Sequence, residues 1–344
     1  MKLGMETIRA ITLGAEYLWE EEGAIRFSRF TREQQELYQR SGLERRADFY
    51  GRCSTSAGIR LCFKTDSTTL KLAVEVRKGC ARTYFSFDVF VNGQPVGYLE
   101  NYSQCELPRH YTVVDLPLGE FAKEFQLGEG EKTVTVYFPW AVCPLLQELA
   151  LEDGAFVEPV KPAKKLLAFG DSITQGYDAL RSSSRYVAGL ADRLGAEEFN
   201  KGIGGEIFFP ELAATKEGFV PDYITVAYGT NHFRKNTTHD FANRCKAFYE
   251  NLSANYPQSK IFAITPIWRK ESQGIRAIGP FERIEEGIRE AVKELPNVTV
   301  IRGFDLVPKS EEYFADLRLH PNDQGFGHYA ENLYQAIQNE LERA

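Results

Sequence analysis

Four short polar segments of this chain hold residue types that can do chemistry: a hydroxyl, a cluster of backbone amides, a carboxamide and an imidazole. The first, Gly170-Asp171-Ser172-Ile173-Thr174-Gln175-Gly176, follows the apolar run Lys165–Phe169. A serine on a tight strand-to-helix turn exposes its hydroxyl and its N–H at the edge of a sheet. Taken alone, it serves equally as a nucleophile or as a helix N-cap. The second, Asn200-Lys201-Gly202-Ile203-Gly204-Gly205-Glu206, has glycines whose N–H groups can face an anion, or simply turn the chain. The third, Gly229-Thr230-Asn231-His232, offers an amide side chain after another apolar run, although asparagine is also an ordinary turn residue. The fourth, Asp316-Leu317-Arg318-Leu319-His320-Pro321-Asn322-Asp323, holds one of only five histidines. An imidazole in such a loop can act as a general base near neutral pH, and a loop histidine can equally be an incidental surface residue.

The elements that must position these segments are legible as patterns. After residue 160, strand and helix alternate. Lys165–Phe169, Ile224–Tyr228, Ile261–Ile264 and Val298–Ile301 are short apolar strands, with a further strand near Ala196–Phe199. Between them, Phe241, Cys245, Phe248 and Leu252 fall on one helical face, as do Ile284, Ile288, Ala291 and Leu295. A helix over 184–194 with Ser184 as N-cap, and a last helix lined by Phe326, Ala330, Leu333, Ile337 and Leu341, complete the pattern. This alternation predicts a parallel sheet covered on both faces, with the ligand crevice at the carboxyl ends of its strands.

Before residue 160 the period is two. Leu70, Leu72, Val74 and Val76 alternate with more polar neighbours. Thr83–Val91 runs into Asn92-Gly93, a hairpin turn, and the chain resumes through Gln94–Tyr98. Ile25–Phe30, Ile59–Phe63, Tyr111–Leu116 and Thr133–Phe138 are further expected strands, and 33–45 is a short helix or a surface loop. Many short strands with turn signals predict a β-sandwich or jelly roll over 1–160, ahead of an α/β domain over 161–344, with Pro159 and Pro162 marking the join.

Composition narrows the function classes. The 344 residues are 43% hydrophobic and 13% aromatic, enough to pack cores and exclude intrinsic disorder. A net charge of -7 and the absence of a basic run give no footprint for nucleic acid or an anionic membrane. No apolar stretch reaches the roughly 18 residues of a membrane span. The first ten residues, Met1–Ala10, do not resemble a secretory signal peptide. The six cysteines form no CxxC pair and the histidines no HxxxH pair, so reduced thiols, a cytoplasmic location and a site without metal or cofactor are expected.

The four segments in this order, GDSIT, NKGIGGE, GTN and HPND, resemble the SGNH hydrolases, also called the GDSL esterase and lipase superfamily. The resemblance spans residues 164–344. It implies an α/β domain of flavodoxin-like type, Ser172 as nucleophile, His320 as general base, and an oxyanion site built from the Ser172 and Gly205 N–H groups and the Asn231 amide. The order of the two domains resembles certain jelly-roll carbohydrate esterases and acyl-transferring relatives.

Two positions depart from the family pattern. His232 stands where the family usually has aspartate, and takes either a structural or a substrate-contact role. Leu317 occupies the usual aspartate position three residues before the histidine, so Asp316 must reach the ring through a one-residue bulge, or a Ser–His dyad operates. Trp268, after Ile264-Thr265-Pro266-Ile267, either narrows the crevice or packs between domains. The expected function is a serine esterase acting on small acyl esters, acetyl above all, of a carbohydrate or similar polar alcohol. The alternatives are an acyltransferase or thioesterase of the same fold, and an inactive carbohydrate-binding protein.

Overall fold

The computed structural model describes residues 1–45, 48–235 and 238–343. Its first half is two antiparallel sheets. One runs in the order Thr12–Leu13, Arg60–Thr65, Lys132–Tyr137, Ser86–Val91, Gln94–Glu100, with Glu158–Pro159 paired to Arg60–Thr65. The other runs Tyr17–Glu21, Ala24–Ser28, Val142–Leu151, Thr69–Lys78, Gly119–Gln126. The period-two pattern sets which face is buried: Leu70, Leu72, Val74 and Val76 all point into the core between sheets, and Lys71 points out. Phe27, Phe87 and Phe138 meet edge-to-face in that core.

One expected strand is absent. Tyr111–Val113 is a single 3-10 turn, because the alternation fails at Val113, which points into solvent. The neighbouring Leu116 N–H donates to the Thr83 hydroxyl instead of to a ladder. The segment from Arg32 to Arg45 is a helix.

The second half is a five-stranded parallel sheet in the order Ala196–Asn200, Lys164–Gly170, Tyr223–Ala227, Lys260–Ile264, Val298–Ile301. Successive residues of its second strand enter different cores. Leu166 and Ala168 join the helices Tyr186–Leu194 and Asp323–Arg343, where the Tyr186 and Tyr329 rings stack at 4.0 Å. Leu167 and Phe169 join Thr238–Asn255 and Glu282–Val292. Ser184 is not the cap of its helix, which starts at Tyr186. Ser182 and Ser183 lie in the preceding 3-10 turn and spend their hydroxyls on Ser86 O and Asp88 of the sandwich.

The halves interlock. The core of the sandwich is continuous with that of the Tyr186 and Asp323 helices, while Tyr38, Phe49 and Cys53 from the N-terminal half enter the other core. The buried Arg29 guanidinium donates to the carbonyls of Asn200 and Gly202 at 2.9 and 2.7 Å. Arg60 pairs with Asp192, and Lys201 with Glu16. Three of the four polar segments come from strand ends on one edge of the parallel sheet, against which the sandwich loops pack.

Candidate active site

Ser172 opens the one-turn helix Ser172–Gln175 at the end of the strand Lys164–Gly170. Asp171, not Ser172, is the N-cap: its Oδ1 accepts from the Ile173 N–H at 3.0 Å. The serine hydroxyl is therefore not spent on capping. It lies 2.9 Å from Nε2 of His320, 148 residues further along the chain.

His320 sits at the end of a tight loop closed by the pair Phe314–Pro321 and by Ala315 N–H donating to the His320 carbonyl at 2.9 Å. Within it, Leu317 adopts the left-handed conformation at φ 55°. That turn carries the chain back so that Oδ1 of Asp316 accepts three backbone N–H groups, from Arg318, Leu319 and His320, at 3.0, 2.7 and 3.0 Å. Oδ2 is then 3.0 Å from Nδ1 of the ring. The extra residue before the histidine is absorbed by one strained dihedral, and the carboxylate still meets the imidazole. Asp323 does not: its carboxylate accepts from the Leu180 and Arg181 N–H groups, and Asn322 accepts from the Gly325 N–H at the start of the last helix.

A second carboxylate touches the same ring nitrogen. Oδ2 of Asp178 lies 3.1 Å from His320 Nδ1. Asp178 is fully buried and, like Leu317, in the left-handed region, at φ 74°. Arg82 and Tyr84 of the N-terminal half hold its Oδ1 at 2.7 and 2.5 Å, and Tyr111 donates to its carbonyl at 2.6 Å. Sequence patterns missed this residue. The only signal was an aspartate directly after the serine turn, and its partners are about a hundred positions away.

The glycine loop stands opposite. Gly205 is at φ 82°, where a side chain would be strained, and a Cβ on Gly204 would meet the Tyr177 hydroxyl at 2.7 Å. Arg52 of the N-terminal half donates to the Gly204 carbonyl, and Gln175 Oε1 accepts from the Gly204 N–H at 2.8 Å. Among the described residues, no group accepts from the N–H of Ser172 or Gly205. Asn231 Nδ2 donates to the Glu206 carbonyl at 2.8 Å, which ties the third segment to the second.

Electrostatics distinguish the three carboxylates. Burial works to raise Asp316, but the hydrogen bonds from His320 and the loop amides prevail and hold it at about 2. Burial likewise opposes ionisation of Asp178, and the His320 and Arg82 contacts outweigh it and keep it below the ordinary aspartate value. For Asp171 burial prevails over the Ile173 N–H bond and the nearby His320 and pushes it up to about 7. Burial alone would lower His320; the two carboxylates on Nδ1 win and lift it to about 9.

His232 had two roles open to it, a structural one and a substrate contact. It is completely buried among the Phe208 and Phe241 rings, so it faces the core and not the crevice. Trp268 is half-buried with its ring 5.1 Å from Phe314, at the base of the histidine loop. Asp178, Asp316 and His320 bring one ligand atom each within 4.8 Å of one another, a spacing that could also hold a cation. No described helix is long and apolar enough to cross a membrane.

Residues 168–327 match the GDSL-like lipase/acylhydrolase family. Among solved structures, the salicylyl-acyltransferase SsfX3 from a tetracycline biosynthetic pathway superposes with a TM-score of 0.76 at 20% identity, over 95% of this chain and 94% of that one. A protein described as a GDSL-like lipase from Bacteroides ovatus gives 0.74 at 19% identity, over 99% and 98%. A family 2 carbohydrate esterase with a carbohydrate-binding domain from Corynascus thermopiles gives 0.63 at 16% identity, over 84% and 95%. At these identities the likeness shows the fold: an SGNH-type parallel sheet preceded by antiparallel sheets. No curated protein sequence matches the chain.

Proposed function

We propose that this chain, a GDSL-like lipase/acylhydrolase through residues 168–327, is a serine esterase that removes small acyl groups, acetyl above all, from a carbohydrate or similar polar alcohol. The observation that carries the reading is the continuous hydrogen-bond path from Ser172 Oγ through the His320 ring to Asp316.

In the reaction, Ser172 Oγ attacks the acyl carbonyl while Nε2 of His320 takes its proton. The oxyanion is met by the N–H groups of Ser172 and Gly205 and by the Asn231 amide. One such donor contributes about 3 kcal/mol to the transition state. As the tetrahedral intermediate collapses, His320 returns the proton to the departing alcohol oxygen. Water, activated by the same ring, then releases the acid and restores the Ser172 hydroxyl. Every proton moves on Nε2, while Nδ1–H stays with its carboxylates.

The likeness to solved structures described as a family 2 carbohydrate esterase and an acetyl xylan esterase supports the polar alcohol and the acetyl group in this reading. The likeness to a salicylyl-acyltransferase over nearly the whole chain favours one second reading, in which an alcohol replaces water in the last step. Both share the acyl-enzyme, and partitioning distinguishes them. With p-nitrophenyl acetate and a panel of sugars as acceptors, the esterase reading expects acetate as the main product. Predominant transfer to an acceptor would establish the transferase. No release of p-nitrophenol above background from folded protein would overturn both.

A further inference from the structure

We propose that Asp178, clamped by Arg82 and Tyr84 of the N-terminal sheets, is a second positioning carboxylate that shares the Nδ1 proton of His320 with Asp316, so that the sandwich is a working part of the catalytic base. The proposal rests on the reading of His320 as general base.

The geometry leads to it directly. The Oδ2 atoms of Asp316 and Asp178 lie 3.0 and 3.1 Å from one ring nitrogen, which carries one proton. Both can accept from it only as a shared, bifurcated bond. Two carboxylates this close would ordinarily push one of the pair to hold a proton of its own. Here a cation prevents that: Arg82 Nε and Nη2 donate to Asp178 Oδ1 and Oδ2 at 2.7 and 3.3 Å. Before proton transfer, two carboxylates, one guanidinium and a neutral ring sum to minus one. After Nε2 takes the Ser172 proton, the same group sums to zero. The cluster therefore favours the imidazolium form in the transition state, and both acceptors select the tautomer that leaves Nε2 open toward Ser172.

The clamp is built for rigidity. Asp178 has no exposed side-chain surface, and its backbone is held by Tyr111 through the carbonyl. The next residues are held as well: Trp140 donates to the Ala179 carbonyl at 2.9 Å and Tyr102 to the Leu180 carbonyl at 2.8 Å. All of these donors belong to the N-terminal half. A left-handed backbone at a buried aspartate, with every surrounding group supplied by a different part of the chain, is the kind of local cost that persists where geometry matters.

Other titratable groups stand near the ring. The Tyr177 ring lies tilted beside it, centroids 5.6 Å apart, with its hydroxyl held up in pKa by burial. Tyr84 stands behind Asp178, and Asp171 lies at the strand end beneath Ser172. Only Asp316 and Asp178 touch Nδ1 among the described residues.

The test is a set of pH–rate profiles on p-nitrophenyl acetate for the parent, Asp316→Asn, Asp178→Asn and the double variant. Asparagine is nearly isosteric and tolerates the left-handed region, so the Asp178 variant retains the backbone. Each single variant is expected to lose about tenfold to a hundredfold in kcat and to shift the acid limb of kcat/KM downward by a unit or more. The double variant is expected to lose at least a further tenfold. Arg82→Gln, which leaves both carboxylates in place without their cation, is expected to lower kcat with little change in KM, and Arg82→Lys to recover part of the loss. An Asp178→Asn enzyme with the parent's rate and the parent's acid limb would overturn the proposal. So would an Asp316→Asn enzyme already as slow as the double variant. A failure of the underlying reading looks different: Ser172→Ala or His320→Ala would retain turnover.

Discussion

Ser172 and His320 carry the proposed chemistry, and their expected behaviour follows from their surroundings. Ser172→Ala removes one oxygen from a site whose turn is capped by Asp171, so the fold is retained and turnover is lost. Activity within about tenfold of the parent, a barrier change of only about 1.4 kcal/mol, would exclude Ser172 as nucleophile. The ring must be neutral to accept the Ser172 proton, and its pKa is raised from the ordinary 6.5 to about 9. Because the folded value is raised, the active form is lost as pH falls through about 9. Initial rates on an acetyl ester, corrected for spontaneous hydrolysis, should climb from pH 7 toward a plateau near that value. A profile already flat at pH 7 would contradict the charge arrangement on Nδ1. Trp268 is proposed to limit acyl length. Acetyl esters should then outpace octanoyl esters, and Trp268→Ala should narrow the difference. Equal loss on both esters would make its ring only a support for Phe314.

At the scale of the element, the histidine loop works through one dihedral. The left-handed Leu317 costs a side-chain-bearing residue about 1 kcal/mol, and three loop amides on Asp316 offset it. Leu317→Gly should therefore keep kcat within about threefold and stability within about 1 kcal/mol. Leu317→Ile, β-branched and poorly tolerated at this dihedral, should lower both. Thermal melts and kcat for the two variants check this, and an isoleucine variant matching the parent would refute it. The same loop shows what was legible beforehand. Motif order placed Ser172, Gly205 and Asn231 on strand ends and His320 in the loop before the last helix, because short apolar strands followed by polar turns are local signals. The bulge that brings Asp316 to the ring was open between two alternatives, since backbone dihedrals of a six-residue loop depend on closure and not on residue type. Tyr111–Leu116 looked like a strand because its residue types suit one, but Val113 points into solvent and the alternation fails there. Ser184 looked like a cap, but its neighbouring serines are bound to the sandwich. The role of His232 was open between a structural one and a substrate contact; its burial against Phe208 and Phe241 depends on residues that its own segment does not contain.

Across the whole molecule, the N-terminal half supplies the groups that set the site's geometry: Arg52 on the Gly204 carbonyl, Arg82 and Tyr84 on Asp178, and Arg29 beneath the glycine loop. None of these was visible from sequence, since each acts across more than 90 residues of chain. Arg29 donates to the carbonyls of Thr55, Asn200 and Gly202. Arg29→Met would leave three buried carbonyls without that donor, at about 1–3 kcal/mol each. A loss of roughly 3–9 kcal/mol in urea unfolding is expected, with lower kcat in the protein that remains folded. A variant as stable as the parent would show that Arg29 contributes nothing to the joining of the two halves.

The central claim is that the acyl group passes through a covalent bond to Ser172. Rapid mixing with p-nitrophenyl acetate, acid quenching and peptide mass analysis test it most directly. The account predicts a burst of p-nitrophenol together with one acetyl group on the peptide containing Ser172, and neither in Ser172→Ala. Hydrolysis that persists in folded Ser172→Ala, or an acetyl group found only on another residue, would contradict it.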